Sequence, residues 1–279
     1  MLLQRKYVDL IQRAESKWAN WEPSRKQPNV GDYGSVNKIT AEFEWKGSIY
    51  DDDFAQHIPG LNLKDDKYKP DIGGRDEVNV IKSTSVRQLE LSATPELDIS
   101  QLADAPVKGS WQFRRGRGAI LVMIQPRITS LPKDILLDKL SKIPILRDYF
   151  LVTAVVQCPA YAFYLSDKEN DKVSLALGAK VPVPAPPGVG TGGEFDGGWW
   201  THTGSGVWKQ GGQKGGEDNF TPLFTLKQVR KPFLSFRRDS PPPVREKDDL
   251  WRNADEPWGP LDDDGEDDEI VVDDDIPDW

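Results

Sequence analysis

Apolar positions along the chain are densest between residues 117 and 177. Residues 119–124 form a continuous apolar run that stops at Gln125 and Pro126. Further short runs, rich in Val, Ile and aromatics, cover residues 149–156, 160–165 and 173–177. Short apolar runs bounded by Pro, Asp or Asn predict strands. Between the first and second runs, residues 132–142 carry a different period. Leu136, Leu140 and Ile143 fall at helical spacing, with Pro132 suited to a first turn and Pro144 to a stop. The order is strand, helix and three strands, and this stretch is the predicted core.

The flanks are more polar. Leu3, Tyr7, Leu10, Ile11, Ala14 and Trp18 share one helical face, while Arg5, Lys6, Arg13 and Lys17 fall largely elsewhere. Residues 2–19 are therefore predicted as a basic amphipathic helix, which packs on its own domain or lies on a membrane or partner. Gly31, Asp32, Tyr33 and Gly34 open a hairpin predicted over residues 36–43 and 45–50. Residues 51–74 read as a long polar excursion, and residues 77–91 as an edge strand pair of mixed polarity. Residues 93–110 read as a loop. Beyond Leu177 comes a proline-rich, extended stretch at residues 181–187. Between residues 184 and 216 lie 12 of the 24 glycines, together with Trp199, Trp200 and Trp208. This reads as a surface for glycan or lipid, or as a long insertion anchored by its aromatic rings. Residues 220–226 give one last strand.

Charge divides the chain further. Residues 248–279 hold 15 Asp and Glu against one basic residue, Arg252, a net of −14. Residues 1–247 keep 35 basic and 30 acidic residues, a net of +5. Such asymmetry marks an interaction tail or a solubilising one. The expected organisation is a folded domain over 1–229 with a Gly/Trp-rich insertion at 182–218. A basic, proline-rich linker at 230–247, open to proteases, and an acidic tail at 248–279 follow. Trp251, Trp258 and Trp279 are unusual in a solubilising tail and suit anchors in apolar grooves. Cys158 is the single cysteine, so no intramolecular disulfide forms, and a reducing, cytoplasmic location is expected.

Catalytic chemistry is hard to find. His57 and His202 are the two histidines and lack partners at metal-ligand spacing. Cys158 stands in an apolar run, as a buried inert thiol does. No phosphate-binding or nucleophile-elbow motif occurs, and the acidic run 262–269 lacks the spacing of a calcium loop. The expectation is a protein that is not an enzyme and uses no cofactor. Arg114, Arg115 and Arg117 stand among glycines just before the core strand, as a phosphate-gripping turn or a solvated one. Nucleic acid is not an expected partner. Each basic residue near an anionic bilayer contributes roughly 1 kcal/mol. Arg5, Lys6, Arg13 and Lys17 with Arg114, Arg115 and Arg117 are thus the candidate lipid-binding residues.

The order of pieces resembles the N-terminal, pore-forming domain of the gasdermins, especially the short fungal forms. The resemblance rests on the basic N-terminal helix, Gly31-Asp32 at the first strand, and a short helix followed by residues 150–155, Phe-Leu-Val-Thr-Ala-Val. It covers roughly residues 1–180. It implies an α+β fold, a twisted, mainly antiparallel sheet flanked by helices. A long Gly-rich loop and a disordered acidic tail are added to that fold here. It also implies binding of acidic membrane lipids and homo-oligomerisation, with movement from cytoplasm to membrane in regulated cell death after release by an activating protease. Two hairpins would re-form as membrane strands; residues 77–91 suit that change better than 152–177. Nothing after residue 180 suits the large helical inhibitory domain of the animal proteins. The alternative is a non-enzymatic binding module that uses the Trp-rich loop and the acidic tail.

Overall fold

The computed structural model describes residues 3–89, 107–114, 117–132, 135–177, 199–203, 206–212, 218–229 and 250–259. The N-terminal amphipathic stretch forms helix α1 (Leu3–Glu15). Tyr7, Leu10 and Ile11 bury one stripe of it. Ser16, at φ 56°, ends the helix while its N–H donates to the Gln12 carbonyl at 2.7 Å. A two-residue strand, β1 (Trp18–Ala19), follows.

The first hairpin is β2 (Asp32–Val36) and β3 (Phe43–Ser48). Its turn occupies residues 37–42, earlier than the apolar alternation predicts. Asn37 sets that turn, because its Oδ1 accepts the N–H groups of Ile39 at 2.9 Å and Thr40 at 3.1 Å. Gly31 takes φ 91°, and a side chain there would meet the Tyr50 ring at 2.6 Å. Two short 3-10 helices, at 52–57 and 66–68, fill the polar excursion.

Thirteen further strands complete the described chain. They are β4 (Asp71–Arg75), β5 (Val78–Lys82), β6 (Val86–Leu89), β7 (Val107–Phe113), β8 (Ala119–Ile124), β9 (Arg127–Ser130) and β10 (Phe150–Cys158). The rest are β11 (Ala160–Leu165), β12 (Lys172–Leu177), β13 (Trp199–Thr203), β14 (Val207–Gly212), β15 (Phe220–Val229) and β16 (Trp251–Asn253). The predicted mid-chain helix is α2 (Ile135–Leu140), with Leu136 and Leu140 wholly buried. The fold is α+β, with antiparallel sheets and two α-helices among the described residues.

One sheet runs β1-β15-β10-β2-β3. Strand β10 is its spine: β2 pairs with its start, and β9, which carries β4, pairs with its end. The other two sheets have four strands each, ordered β14-β11-β8-β5 and β13-β12-β7-β6. These orders correspond strand for strand. The described strands make two long hairpins side by side, β5-β6 with β7-β8 and β11-β12 with β13-β14, whose tip halves make one sheet and base halves the other.

The tip sheet packs on the base sheet. Trp111, Phe113, Val173, Leu175 and Trp199 of the tip half share a core with Ile120, Val122, Ala162 and Tyr164 of the base half. The Phe113 and Tyr164 ring centroids are 5.4 Å apart. The opposite face of the base sheet, with Leu121, Met123, Tyr161 and Phe163, belongs to the main core beneath α1. Strands β8 and β11 are therefore buried on both faces, which is why they read as unbroken apolar runs. In β7 and β12 the pattern alternates instead. Ser110 and Ser174, 3.0 Å apart through their hydroxyls, point away from Trp111 and Val173.

Two expectations are corrected. The Gly-rich segment is not a loop throughout, since residues 199–203 and 207–212 are the return arm of the second hairpin. Glycine serves that arm where an aromatic ring needs the space: a Cβ on Gly211 would lie 2.6 Å from the Tyr161 ring and 2.7 Å from Phe220. Nor is the tail wholly free of structure. Residues 250–259 fold onto the body, with β16 paired to the end of β15. The linker 230–247 and residues 260–279 lie outside the described residues, as do 178–198 of the insertion.

Candidate functional site

The candidate site is the outer side of α1, where the helix meets residues 250–259. Its inner side is fixed by stacking: Tyr7 lies 4.1 Å from the Phe163 ring at 22°, and 5.7 Å from Trp21. That packing leaves the Arg5, Asp9 and Arg13 positions facing outward, one turn apart along the helix. The tail covers Arg5 and Asp9. Trp258 sets its ring edge-on to Trp18, with centroids 5.6 Å apart at 74°. The Arg5 guanidinium sits 5.3 Å from the centre of the Trp258 ring. The Trp258 indole N–H also points to Asp9 Oδ1 at 3.4 Å.

Seven residues before Trp258, Trp251 anchors the same segment. It is buried, and its indole N–H donates to the Leu137 carbonyl at 2.8 Å. The Ala254 N–H donates to the Leu226 carbonyl at 2.9 Å. An acidic residue thus joins two basic ones under a tryptophan. Asp9 pairs with Arg13 at 3.0 Å, and burial holds its carboxyl above the ordinary value against the pull of Arg13.

The predicted lipid-binding residues do not form one free basic face. Lys6 is 3% exposed, so in this conformation it cannot reach a headgroup. Arg5 lies under Trp258, Arg13 is held by Asp9, and Lys17 pairs with Glu15 at 2.5 Å. Arg114 is exposed and Arg117 half-buried, both at the bend of the first hairpin rather than on α1. Arg115 lies outside the described residues. Periodicity could not foresee the role of Asp9, because its partners come from one turn along the helix and from the far end of the chain.

The bends are the second feature of interest. Residues 83–85, 114, 117–118, 166–171 and 206 lie between the tip and base strands, and polar groups hold several of them. Ser85 donates to the Arg117 carbonyl at 2.9 Å, and the Ala119 N–H donates to Ser83 at 3.0 Å. Across to the second hairpin, Ser166 N–H donates to Gly118 and Phe113 N–H to Asp171, both at 2.9 Å. The buried Asp171 carboxylate accepts hydrogen bonds from Tyr164 and, at 3.1 Å, from Ser166. At the base of the second hairpin, Arg75 grips Asp218 at 2.7 and 2.9 Å, and Arg127 joins the same carboxylate.

No cluster of metal-ligating side chains occurs among the described residues. Cys158 is buried, and burial pushes its thiol far up. Trp199 is 2% exposed and makes an edge-on pair with the half-buried Trp208, so both rings are committed to the hairpin core. No helix among the described residues is long and apolar enough to cross a membrane. The chain matches no protein-family model and no curated protein.

Proposed function

We propose that this protein is a membrane pore former whose two bent hairpins straighten and pair between subunits in an acidic bilayer. The observation that carries the reading is the pair of matched, once-bent hairpins. Their base and tip halves together give arms of 78–89, 107–124, 160–177 and 199–212. A membrane-spanning strand needs about 9–11 residues, so every arm is long enough. The alternation in the tip half supplies a side suited to lipid, with Trp111, Phe113, Val173 and Leu175, and a more polar side with Ser110, Gln112 and Ser174. Backbone groups in a bilayer must all be paired, so insertion requires closure of the strands of many copies into a ring.

The tail is the restraint in this reading. Trp251 and Trp258 hold residues 250–259 against α1 and β15, and cleavage in the linker 230–247 would convert that attachment from intramolecular to intermolecular. Arg5 then becomes available to acidic headgroups beside the already exposed Arg13. The mobile species moves from cytoplasm to membrane, and its chemistry is physical, without catalysis or cofactor. The burial of Trp199 and its edge-on pairing with the half-buried Trp208 speak against the glycan-binding alternative.

Dye-loaded vesicles test the reading. Linker-cleaved protein should empty vesicles containing phosphatidylserine and spare purely zwitterionic ones, with leakage falling as salt rises. Absence of leakage from anionic vesicles, with both intact and cleaved protein, would refute it.

A further inference from the structure

We infer that the cleft between residues 19–30 and the β2–β3 hairpin is a binding site for an organic cation, an ammonium or guanidinium group carried on an apolar body. This inference is independent of pore formation. The cleft encloses about 770 Å³, within the range of small-molecule sites. Its walls combine the two features that recognise such a cation. Trp21, Phe43, Trp45 and Tyr50 supply aromatic surface, and five carboxylates face it against a single lysine, Lys26. A cation over an indole ring and beside a carboxylate is drawn by both.

The carboxylates are not equivalent. Glu42 is matched by Lys26 at 2.7 Å, and Glu22 by Lys209 at 2.9 Å. Glu44 accepts from Asn37 at 3.0 Å and Ser35 at 3.1 Å. Asp32 and Asp51 have no lysine or arginine partner among the described residues. Asp51 accepts the Ser48 N–H at 2.9 Å, and Asp32 the Asn29 N–H at 2.8 Å. The Trp45 and Ser48 side chains lie near Asp32 and offset part of its burial, so an aromatic ring adjoins this buried carboxylate.

Asp32 is 5% exposed, whereas Trp45 is 59% exposed at the mouth. Burial holds the Asp32 carboxyl above its ordinary value, the sign of a charge short of compensation. A cation seated over the Trp45 ring and beside Asp32 supplies that compensation. The apolar remainder of the ligand has Ala19, Val30, Ala41 and Phe224 to cover.

The test uses the full chain and a charged/neutral pair of equal shape, 2-phenylethylammonium and 2-phenylethanol, read by tryptophan fluorescence and calorimetry. The ammonium should saturate the protein at about 1 mM or below, and the alcohol should bind at least about tenfold more weakly. Trp45→Ala should weaken the ammonium by about tenfold while leaving Tm nearly unchanged, since the ring is mostly exposed. Asp32→Asn should do the same, and its Tm reports whether the fold survives. A blocked arginine peptide that binds more tightly than the free amine makes a protein side chain the natural source; weaker binding makes it a small amine. Equal affinity for ammonium and alcohol, or an unchanged affinity in folded Trp45→Ala, would overturn the inference.

Discussion

Replacing Trp258 with Ala weakens the tail's hold on α1 and β1, where its ring meets Arg5, Asp9 and Trp18. Its edge-on pair with Trp18 at 5.6 Å is worth about 0.5–1.5 kcal/mol. The Arg5 cation 5.3 Å from the ring adds about 0.5–1 kcal/mol. At 3.4 Å the bond to Asp9 is long and adds less than about 1 kcal/mol. The loss is thus about 1–3 kcal/mol, which corresponds to a 5- to 150-fold rise in the undocked population. Trp251 stays in place, so the body should keep its fold and lose only a few degrees of Tm. Amide exchange across 250–259 should quicken, and dye leakage from anionic vesicles should rise by a comparable factor. Faster exchange with unchanged leakage would refute the claim that docking of this segment restrains the protein.

Other changes probe the packing and the electrostatics. The Asp9 carboxyl is raised by burial, so its stabilising contribution is complete below the unfolded-state value and fades as pH rises through the folded-state value. Asp9→Asn should therefore flatten the stability profile just above about pH 4 and leave Tm at neutral pH equal or higher, as read by thermal melts across pH. In Gly34→Ala the new Cβ would lie 2.1 Å from the Glu44 carbonyl oxygen, a backbone atom that cannot swing aside. That variant should lose about 1–3 kcal/mol in urea unfolding, or more if β2 and β3 separate. Tyr164→Phe removes one donor from the buried Asp171 and should cost about 1–3 kcal/mol, with more leakage if the bend is the element that opens.

Much of the scaffold was legible in the sequence. The apolar runs at 119–124, 150–156, 160–165 and 173–177 are all strands, and in the first and third burial on both faces removes any polar alternation. Leu136 and Leu140 marked α2 in the same way. The hairpins were less visible as units. Their tip halves alternate, their arms break at serine- and arginine-containing bends, and the return arm is glycine-rich for ring packing at Gly211 rather than for turning. Composition marked the tail as acidic and hinted at its tryptophans. It could not say that Trp258 meets Arg5 and Asp9, because that contact joins the two ends of the chain. Nor could a charge count show that Lys6 is buried or that Lys17 is spent on Glu15.

The central claim is that the bent hairpins straighten into the bilayer with one face to lipid, and β12 offers the most direct measurement. Single cysteines at Lys172, Val173, Ser174 and Leu175, in a Cys158→Ala, Trp258→Ala background, would carry an environment-sensitive dye. Anionic vesicles would carry a quencher on the acyl chain. Val173 and Leu175 face the apolar core in the folded protein, and Ser174 faces away. The account predicts quenching at 173 and 175 and little at 172 and 174, a period of two along the strand. Equal quenching at adjacent positions, or none at any of the four while the vesicles leak, would contradict it.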